Sequence, residues 1–407
     1  MDLLSSLPPE AGITALLWLL LVSYFIIEYL LHRRVLASIG IRIHVNGTRG
    51  KTSVARLIAA GLRAGGMGVC AKTSGTLASV TDVQGNEFPV FRLSQPNIIE
   101  QMRVMRRVAK LKPDAVVFEC MALQPRFQAL TESHMIRSTH GVITNARRDH
   151  LDIMGPTGRH VAIALAGSTP LNAKLFTAEQ RHLDVFAAAA ADRNSELVPI
   201  DGTQVARITD TDLKKFKYRE HAENVALSLS VCEQLGVPRE TALAGMANLE
   251  PEPGATQVCK LTFHGRELIF VNAFAANDPE STRRIWESIA ARYTPEDGYT
   301  RIAVVNCRSD RPQRSHEIAV AAAQWSETHH FVVMGSGTII FLRTALKHGI
   351  PPERIVVEEA ATAREVIESI LELSGKRAAI VGMANIQGGG NELARYFGNR
   401  AETLEPL

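Results

Sequence analysis

The 407-residue sequence has almost no excess of either charge, few aromatics and no paired cysteines. Its 45 Lys and Arg residues face 42 Asp and Glu, a formal net charge of +3, so no electrostatic surplus calls for a polyanionic partner. Aromatic residues make up 6%, and no sustained basic stripe is interleaved with them. Nucleic acid is therefore not expected as a partner. The five cysteines, Cys70, Cys120, Cys232, Cys259 and Cys307, form no CxxC pair and no Cys/His cluster with zinc spacing. They read as buried thiols in a reducing compartment. Internal repeats and low-complexity tracts are also missing.

One long apolar run is present. Ala11 to Leu31 is broken only by Thr14, Ser23, Glu28 and a few small residues, long enough for a helix to cross a hydrocarbon layer of about 30 Å. Asp2 and Glu10 precede it without Lys or Arg, unlike the basic start of a signal peptide. His32, Arg33 and Arg34 follow at once, and this positive flank puts the C-terminal side in the cytoplasm. Residues 1–35 are thus read as a single-pass anchor in the inner (cytoplasmic) membrane, with residues 11–31 against lipid. Glu28, one turn from the end, is expected at the interface or paired with Arg33 or Arg34.

Beyond the anchor, β-rich runs alternate with helical stretches, the pattern of βαβ units on a parallel sheet. Strands are expected at 41–45, 115–119, 141–145 and 174–177, with helices at 52–64, 97–111 and 222–235. Gly236 and Pro238 stop the last of these. The stretch Glu250-Pro-Glu-Pro-Gly254 breaks both periodicities and reads as a domain boundary. A second βα series follows, with strands expected at 267–272, 301–306, 330–334, 354–357 and 377–381. The fold class is α/β: an N-terminal transmembrane helix, a parallel-sheet P-loop ATPase domain over 36–254, then a smaller Rossmann-like domain over 255–407.

Three segments carry the chemistry. Gly47-Thr48-Arg49-Gly50-Lys51-Thr52-Ser53 leaves a strand and opens a helix, the setting of a phosphate-binding loop. Glycines let backbone N–H groups close around phosphate oxygens, and the helix start adds its positive end. Lys51 would reach the β and γ phosphates of ATP, and the Thr52 hydroxyl would face Mg²⁺. The strict GxxxxGK[ST] spacing is not met, because Val45 stands at its first position. Glu119 closes the run Ala115-Val-Val-Phe118, so its carboxylate belongs at a strand's C-terminal end, where Mg²⁺ must be held. Finally, Thr144-Asn145-Ala-Arg-Arg-Asp149-His150-Leu151-Asp152 leaves a third strand. There His150 could ligate a metal while the carboxylates orient it.

GTRGKT, the strand-end Glu119 and TNARRDHLD, in that order, resemble the Mur ligase family of muramyl-peptide and folylpolyglutamate ligases. His221-Ala-Glu-Asn224 resembles the family's nucleotide-contacting segment, which implies that Asn224 and Asn145 belong to the ATP site. Pro253-Gly254 falls at its domain-joining motif. The membrane helix, Asn272-Ala-Phe-Ala-Ala-Asn277-Asp278-Pro279-Glu-Ser281, Asn306-Cys-Arg308-Ser-Asp310-Arg311-Pro312 and Gly382-Met-Ala-Asn385 resemble its poly-γ-glutamate synthase branch.

That resemblance implies an ATP-dependent amide ligase in which Lys51, Glu119 and His150 are catalytic, and Thr52, Glu119 and His150 hold Mg²⁺. Its substrates would be glutamate and a growing poly-γ-glutamate chain, for a capsule or other exported polymer. Arg308 and Arg311 could clamp the incoming carboxylates. With one apparent span, the chain implies integral-membrane partner subunits and allows a homo-oligomer. There are departures from the pattern. About ten residues separate the anchor's flank from the loop, too few for a domain that grips a nucleotide sugar. Residues 154–171 contain no lysine to carbamylate, Ala255 replaces an arginine, and Asn272 replaces an aspartate. A P-loop phosphotransferase and a non-catalytic nucleotide-binding scaffold of a membrane complex are the competing readings.

Overall fold

The computed structural model describes residues 9–75, 78–90, 96–218, 220–250, 257–263, 265–276, 279–400 and 402–404. Pro253-Gly254, Ala255 and Asn277-Asp278 lie outside them. The chain divides into two compact units, Met1–Leu213 with His221–Leu249, and Lys214–Glu220 with Glu250–Leu407.

The first unit begins with helix α1 (Pro9–Ala37), which does not stop at the basic flank. Its large apolar side chains from Ile13 to Leu31 are exposed. By length and composition Gly12–Ala37 is long and apolar enough to cross a membrane, and its most apolar window is not covered by the other described residues. Exposed apolar surface of that extent calls for a covering phase. Its last turn does dock, with Leu36, and Ile39 just beyond the helix, buried against Val104, Met105, Val108 and Ile136. Glu28 corrects one expectation. It pairs with Arg106, at 3.2 Å, and not with Arg33 or Arg34, because helix α3 (Ile99–Ala109) packs beside α1 and presents that guanidinium.

Three residues after α1 the chain enters an eight-stranded sheet ordered β4-β3-β2-β5-β1-β6-β7-β8. The strands are β1 (Ile41–Asn46), β2 (Val69–Lys72), β3 (Ser79–Thr81), β4 (Glu87–Pro89), β5 (Ala115–Glu119), β6 (His140–Ile143), β7 (Lys174–Thr177) and β8 (Glu196–Pro199). All pairings from β2 to β8 are parallel. The strand β5 is buried along its whole length, as expected for a central strand of a parallel sheet covered on both faces. The chain steps from β1 to β2 and returns through β5 to β6. The C-terminal ends of β5, β1 and β6 therefore form the switch point where such sheets bind ligands. Antiparallel β3 and β4 were not expected. Each is three residues long, and Pro89 sits in the terminal strand, where a missing donor is tolerated.

The second unit carries a seven-stranded sheet ordered β13-β12-β11-β14-β10-β9-β15. Its strands are β9 (Gln257–Phe263), β10 (Arg266–Asn272), β11 (Tyr299–Cys307), β12 (His330–Gly335), β13 (Ile355–Glu359), β14 (Arg377–Met383) and β15 (Glu402–Leu404). The five from β10 to β14 are parallel to one another, and β9 and β15 add an antiparallel flank beyond β10. Separate apolar clusters cover the two faces, one around Trp286 and Phe341, the other around Phe270 and Phe397. All five cysteines are free and buried.

Candidate active site

The loop Gly47–Gly50 runs from β1 into helix α2 (Lys51–Ala64). Gly47 has φ +133°, and a Cβ there would lie 2.0 Å from Thr144 Oγ1. Gly50 caps α2 in the left-handed region at φ +78°, and a Cβ there would lie 2.8 Å from Asn224 Oδ1. Two neighbours thus define the loop's walls, the turn after β6 and the start of the helix Ala222–Gln234.

Asn145 stitches the loop to β6. Its carbonyl accepts from Thr48 N at 3.0 Å, its Oδ1 accepts from Thr48 Oγ1 at 2.6 Å and Arg49 N at 3.2 Å, and its Nδ2 donates to Arg49 O at 3.1 Å. Thr144 Oγ1 adds a 2.6 Å bond to the same Arg49 carbonyl. Lys51 Nζ donates to Gly47 O at 2.7 Å and Thr48 O at 3.3 Å, so the ammonium is held over the loop's own backbone. Ser53 lies half-buried on the first turn of α2.

Glu119 is 2% exposed and lies level with Val45 in the sheet register. One carboxylate oxygen, Oε2, accepts from Thr52 Oγ1 at 3.0 Å and Ser74 N at 2.6 Å. Adjacent oxygens of an octahedral Mg²⁺ shell with bonds near 2.1 Å stand about 3 Å apart. The Thr52 hydroxyl and Glu119 carboxylate therefore already have the spacing of two such ligands, and the hard-oxygen donor set fits the ion. His150 reaches the loop differently. Its backbone has φ +47°, its Nε2 lies 3.9 Å from Asp149 Oδ1, and Asp149 faces Arg49 Nε at 3.6 Å. Among the described residues, no group of three or more His, Cys, Asp and Glu side chains gathers in the manner of a metal site.

Sequence reading passed over several contributors. Gln101, fully buried, donates to the Glu119 carbonyl at 2.9 Å. Asn46 Oδ1 accepts from Gly47 N at 2.8 Å, and its Nδ2 donates to Gln128 and Ser168. The turn Lys72-Thr-Ser-Gly75 completes the cradle: Ser74 bonds Glu119, and a Cβ on Gly75 would lie 2.7 Å from Thr52 Oγ1. Small and hydroxyl residues directly after an apolar strand were the signal for it. Lys72 is fully buried and pairs with Glu100 at 2.9 Å.

In the second unit the ends of β11 and β14 are cross-tied. Asn306 Nδ2 donates to Asn385 O at 2.6 Å, and Asn385 Nδ2 to Asn306 O at 2.8 Å. Arg308 makes a bidentate pair with Asp310, at 2.9 and 2.8 Å, and bonds Gln387. Burial pulls the Asp310 carboxyl upward, but Arg308 and Arg311 outweigh it and hold it below its ordinary range. Arg311 sits at the N-cap of the helix Pro312–Ala322. Both arginines thus share one loop, with Arg308 bound to an acid of its own.

Gly47→Ala is expected to force Thr144 off Arg49, lowering stability by about 1–3 kcal/mol and nucleotide affinity by roughly tenfold or more. Gly66→Ala is the control, left-handed at φ +88° but with nothing within 4 Å, and should lose stability only. Thermal melts and titration with a fluorescent ATP analogue separate the two.

The Mur ligase middle-domain model matches residues 45–249, and the poly-gamma-glutamate synthase CapB C-terminal-domain model matches residues 258–400. Capsule biosynthesis protein CapB of Bacillus anthracis is 35% identical over 381 residues, 92% of this chain and 80% of that protein. PGA synthase CapB of Bacillus subtilis strain 168 is 32% identical over 386 residues, 93% of this chain and 96% of the relative. Among solved structures, E. coli FolC in complex with ADP superposes with a TM-score of 0.64 at 13% identity, covering 91% of this chain and 92% of that one. Mycobacterium tuberculosis folylpolyglutamate synthase complexed with ADP and AMPPCP gives 0.60 at 15% identity, covering 90% and 93%.

Proposed function

Because the chain belongs to the Mur ligase family, homologous to the poly-γ-glutamate synthases of its capsule branch, we propose that its loop, Glu119 and the turn after β6 form the ATP site of a ligase that extends poly-γ-glutamate. The observation that carries this is the contact between Thr52 and Glu119 at the mouth of the glycine loop.

An amine cannot displace oxygen from a free carboxylate, because it is protonated instead. In the proposed reaction a carboxylate oxygen of the growing chain attacks the γ-phosphorus of ATP, and ADP leaves. The amino nitrogen of glutamate then attacks the acyl carbon, inorganic phosphate departs with the C–O bonding pair, and the nitrogen loses its proton. Mg²⁺, held by Thr52 and Glu119 with His150 on the facing turn, would neutralise charge on the phosphoryl oxygens. Lys51 swings from the Gly47 and Thr48 carbonyls to the same oxygens, and the Asn145 bonds keep the loop's N–H groups aimed inward. Asn224 borders the nucleotide through its contact with Gly50. Arg308 and Arg311 are assigned to the carboxylates of the incoming glutamate.

Residues 1–35, 36–254 and 255–407 serve in this reading as anchor, ATP domain and amino-acid domain. The anchor spans the cytoplasmic membrane with both catalytic units in the cytoplasm. Export of the polymer requires integral-membrane partner subunits.

The test is purified full-length chain in detergent with ATP, Mg²⁺, glutamate and a γ-glutamyl oligomer. Release of ADP should depend on glutamate, and mass spectrometry should show the oligomer growing one glutamyl residue at a time. Glutamate-independent transfer of phosphate to a stable product would point instead to a phosphotransferase. Export that survives Lys51→Ala would point to a scaffold.

A further inference from the structure

At the other end of the first sheet, where β1 and β7 begin, lies a cavity of about 670 Å³. Its wall is shared by the end of α1, the start of β1, the turn leaving the π-helix Thr131–Ile136, and the segment before β7. Four arginines line it, Arg33, Arg42, Arg137 and Arg193, against two carboxylates, Glu132 and Asp192. Glu132 is already committed to His44, at 2.7 Å, and to Ser138.

The arginines differ in employment. Arg42 spends its donors on the carbonyls of Leu36, Ile39, Ile136 and Arg137 and works as a rivet. Arg193 reaches the Thr169 carbonyl at 2.6 Å. The Arg137 guanidinium has no hydrogen bond or ion pair among the described residues. The same wall holds Thr169, fully buried, whose Oγ1 has no hydrogen-bond partner. A cationic hollow with an unanswered buried hydroxyl is built for an anion with several oxygen acceptors.

The cavity's position narrows the anion. Arg33 stands on α1 two residues after the exposed apolar run ends at Leu31. Leu171, 62% exposed, lies on the cavity's rim. An apolar lip beside a basic hollow at the end of a membrane helix matches a phosphodiester headgroup whose acyl chains stay in the bilayer. We propose that this cavity binds the headgroup of an anionic phospholipid, seated between Arg137 and Thr169. The proposal rests on the reading that α1 spans a membrane.

The full chain is reconstituted in phosphatidylcholine nanodiscs with phosphatidylglycerol as the minor lipid, then released into mild detergent for native mass spectrometry. Wild type should retain phosphatidylglycerol in preference to phosphatidylcholine. Arg137→Gln and Thr169→Val should each cut that retention about tenfold, the loss of one charge-assisted or buried hydrogen bond. Arg34→Gln, in the same basic flank but outside the cavity wall, should leave it unchanged. Thr169→Val breaks no bond inside the protein, so its melting temperature in lipid-free detergent should not fall. Equal retention of both lipids, or unchanged retention in the two cavity variants, overturns the proposal. So does stabilisation by inorganic phosphate equal to that by phosphatidylglycerol, which would make the ligand a soluble anion. Resistance to alkaline carbonate extraction is scored separately. A chain that resists extraction but retains no phosphatidylglycerol sinks this proposal alone, whereas an extracted chain sinks the membrane reading with it.

Discussion

Glu119→Gln should lower turnover by about 10²–10³-fold at saturating ATP while the chain stays folded or becomes slightly more stable. The two outcomes have one cause. Glu119 is a nearly inaccessible carboxylate whose Oε2 is answered by a hydroxyl and a backbone N–H. Glutamine keeps an oxygen able to accept from both Thr52 and Ser74 but gives up the negative charge that a divalent ion needs. Removing a buried charge relieves a desolvation cost in the ligand-free protein, so stability and activity should move in opposite directions. The measurements are a Mg²⁺ titration of glutamate-dependent ADP release and a melt without nucleotide. Turnover within a factor of ten of wild type would remove Glu119 from the machinery. Lys51→Ala, tested alongside, should show a comparable loss of turnover, because the loop's other charged side chain, Arg49, faces Asp149 at 3.6 Å, whereas the Lys51 ammonium is held over the loop's own backbone.

The largest effect on stability is expected at the opposite face of the sheet. His44 and Glu132 are both buried and lie 2.7 Å apart. Burial alone would push the imidazole toward neutrality, but the Cys120 thiol and Glu132 carboxylate beside it outweigh that and raise its pKa to about 10. Glu132→Ala strands the imidazole and also unties Ser138, whose N–H and hydroxyl both donate to Glu132. The expected loss is about 3–5 kcal/mol, or a fall in Tm on the order of 10 °C. Adding His44→Leu should recover much of it, since an apolar pair leaves no buried charge unanswered. The pH dependence has a definite sign. The folded-state pKa lies above the ordinary histidine value of 6.5, so the pair's stabilisation is complete below about 6.5 and is lost as pH rises toward about 10. Wild-type stability should therefore decline across that window, and the slope should be shallower in Glu132→Ala. Equal slopes in melts from pH 6.5 to 10 would contradict the charged pair.

The parts of the fold most legible in sequence were those where one physical signal dominated. Ala115–Glu119 and Lys174–Thr177 form strands over the expected residues, because short apolar runs between polar turns have few alternatives. The glycine loop was legible because GTRGKT fixes both backbone freedom and charge. Elements whose reason lies across the sheet were less visible. β3 and β4 exist because β2 offers a free edge, which nothing in their own residues announces. The π-helix at Thr131–Ile136 follows from an extra residue accommodated while Glu132 turns toward His44, a partner 88 positions away. At the site, the strand-end position of Glu119 could be inferred, but its tie to Ser74 depends on where β2 ends. Arg308 was read as a clamp from its charge. Its bidentate bond to Asp310, two positions on, shows that the loop first satisfies itself.

The riveting of α1 to β1 by Arg42 has a geometric outcome. The helix joins the sheet at the N-terminal end of β1, and the glycine loop leaves from the C-terminal end of the same six-residue strand. At about 3.3 Å per residue, the glycine loop lies roughly 20 Å along β1 from the point where the helix meets its domain. If the anchor lies in the bilayer, that standoff is a built-in minimum length. On the proposed function, a nascent polymer shorter than the gap would not reach both the proposed ATP site and a membrane-embedded partner, so handover would begin only after several additions.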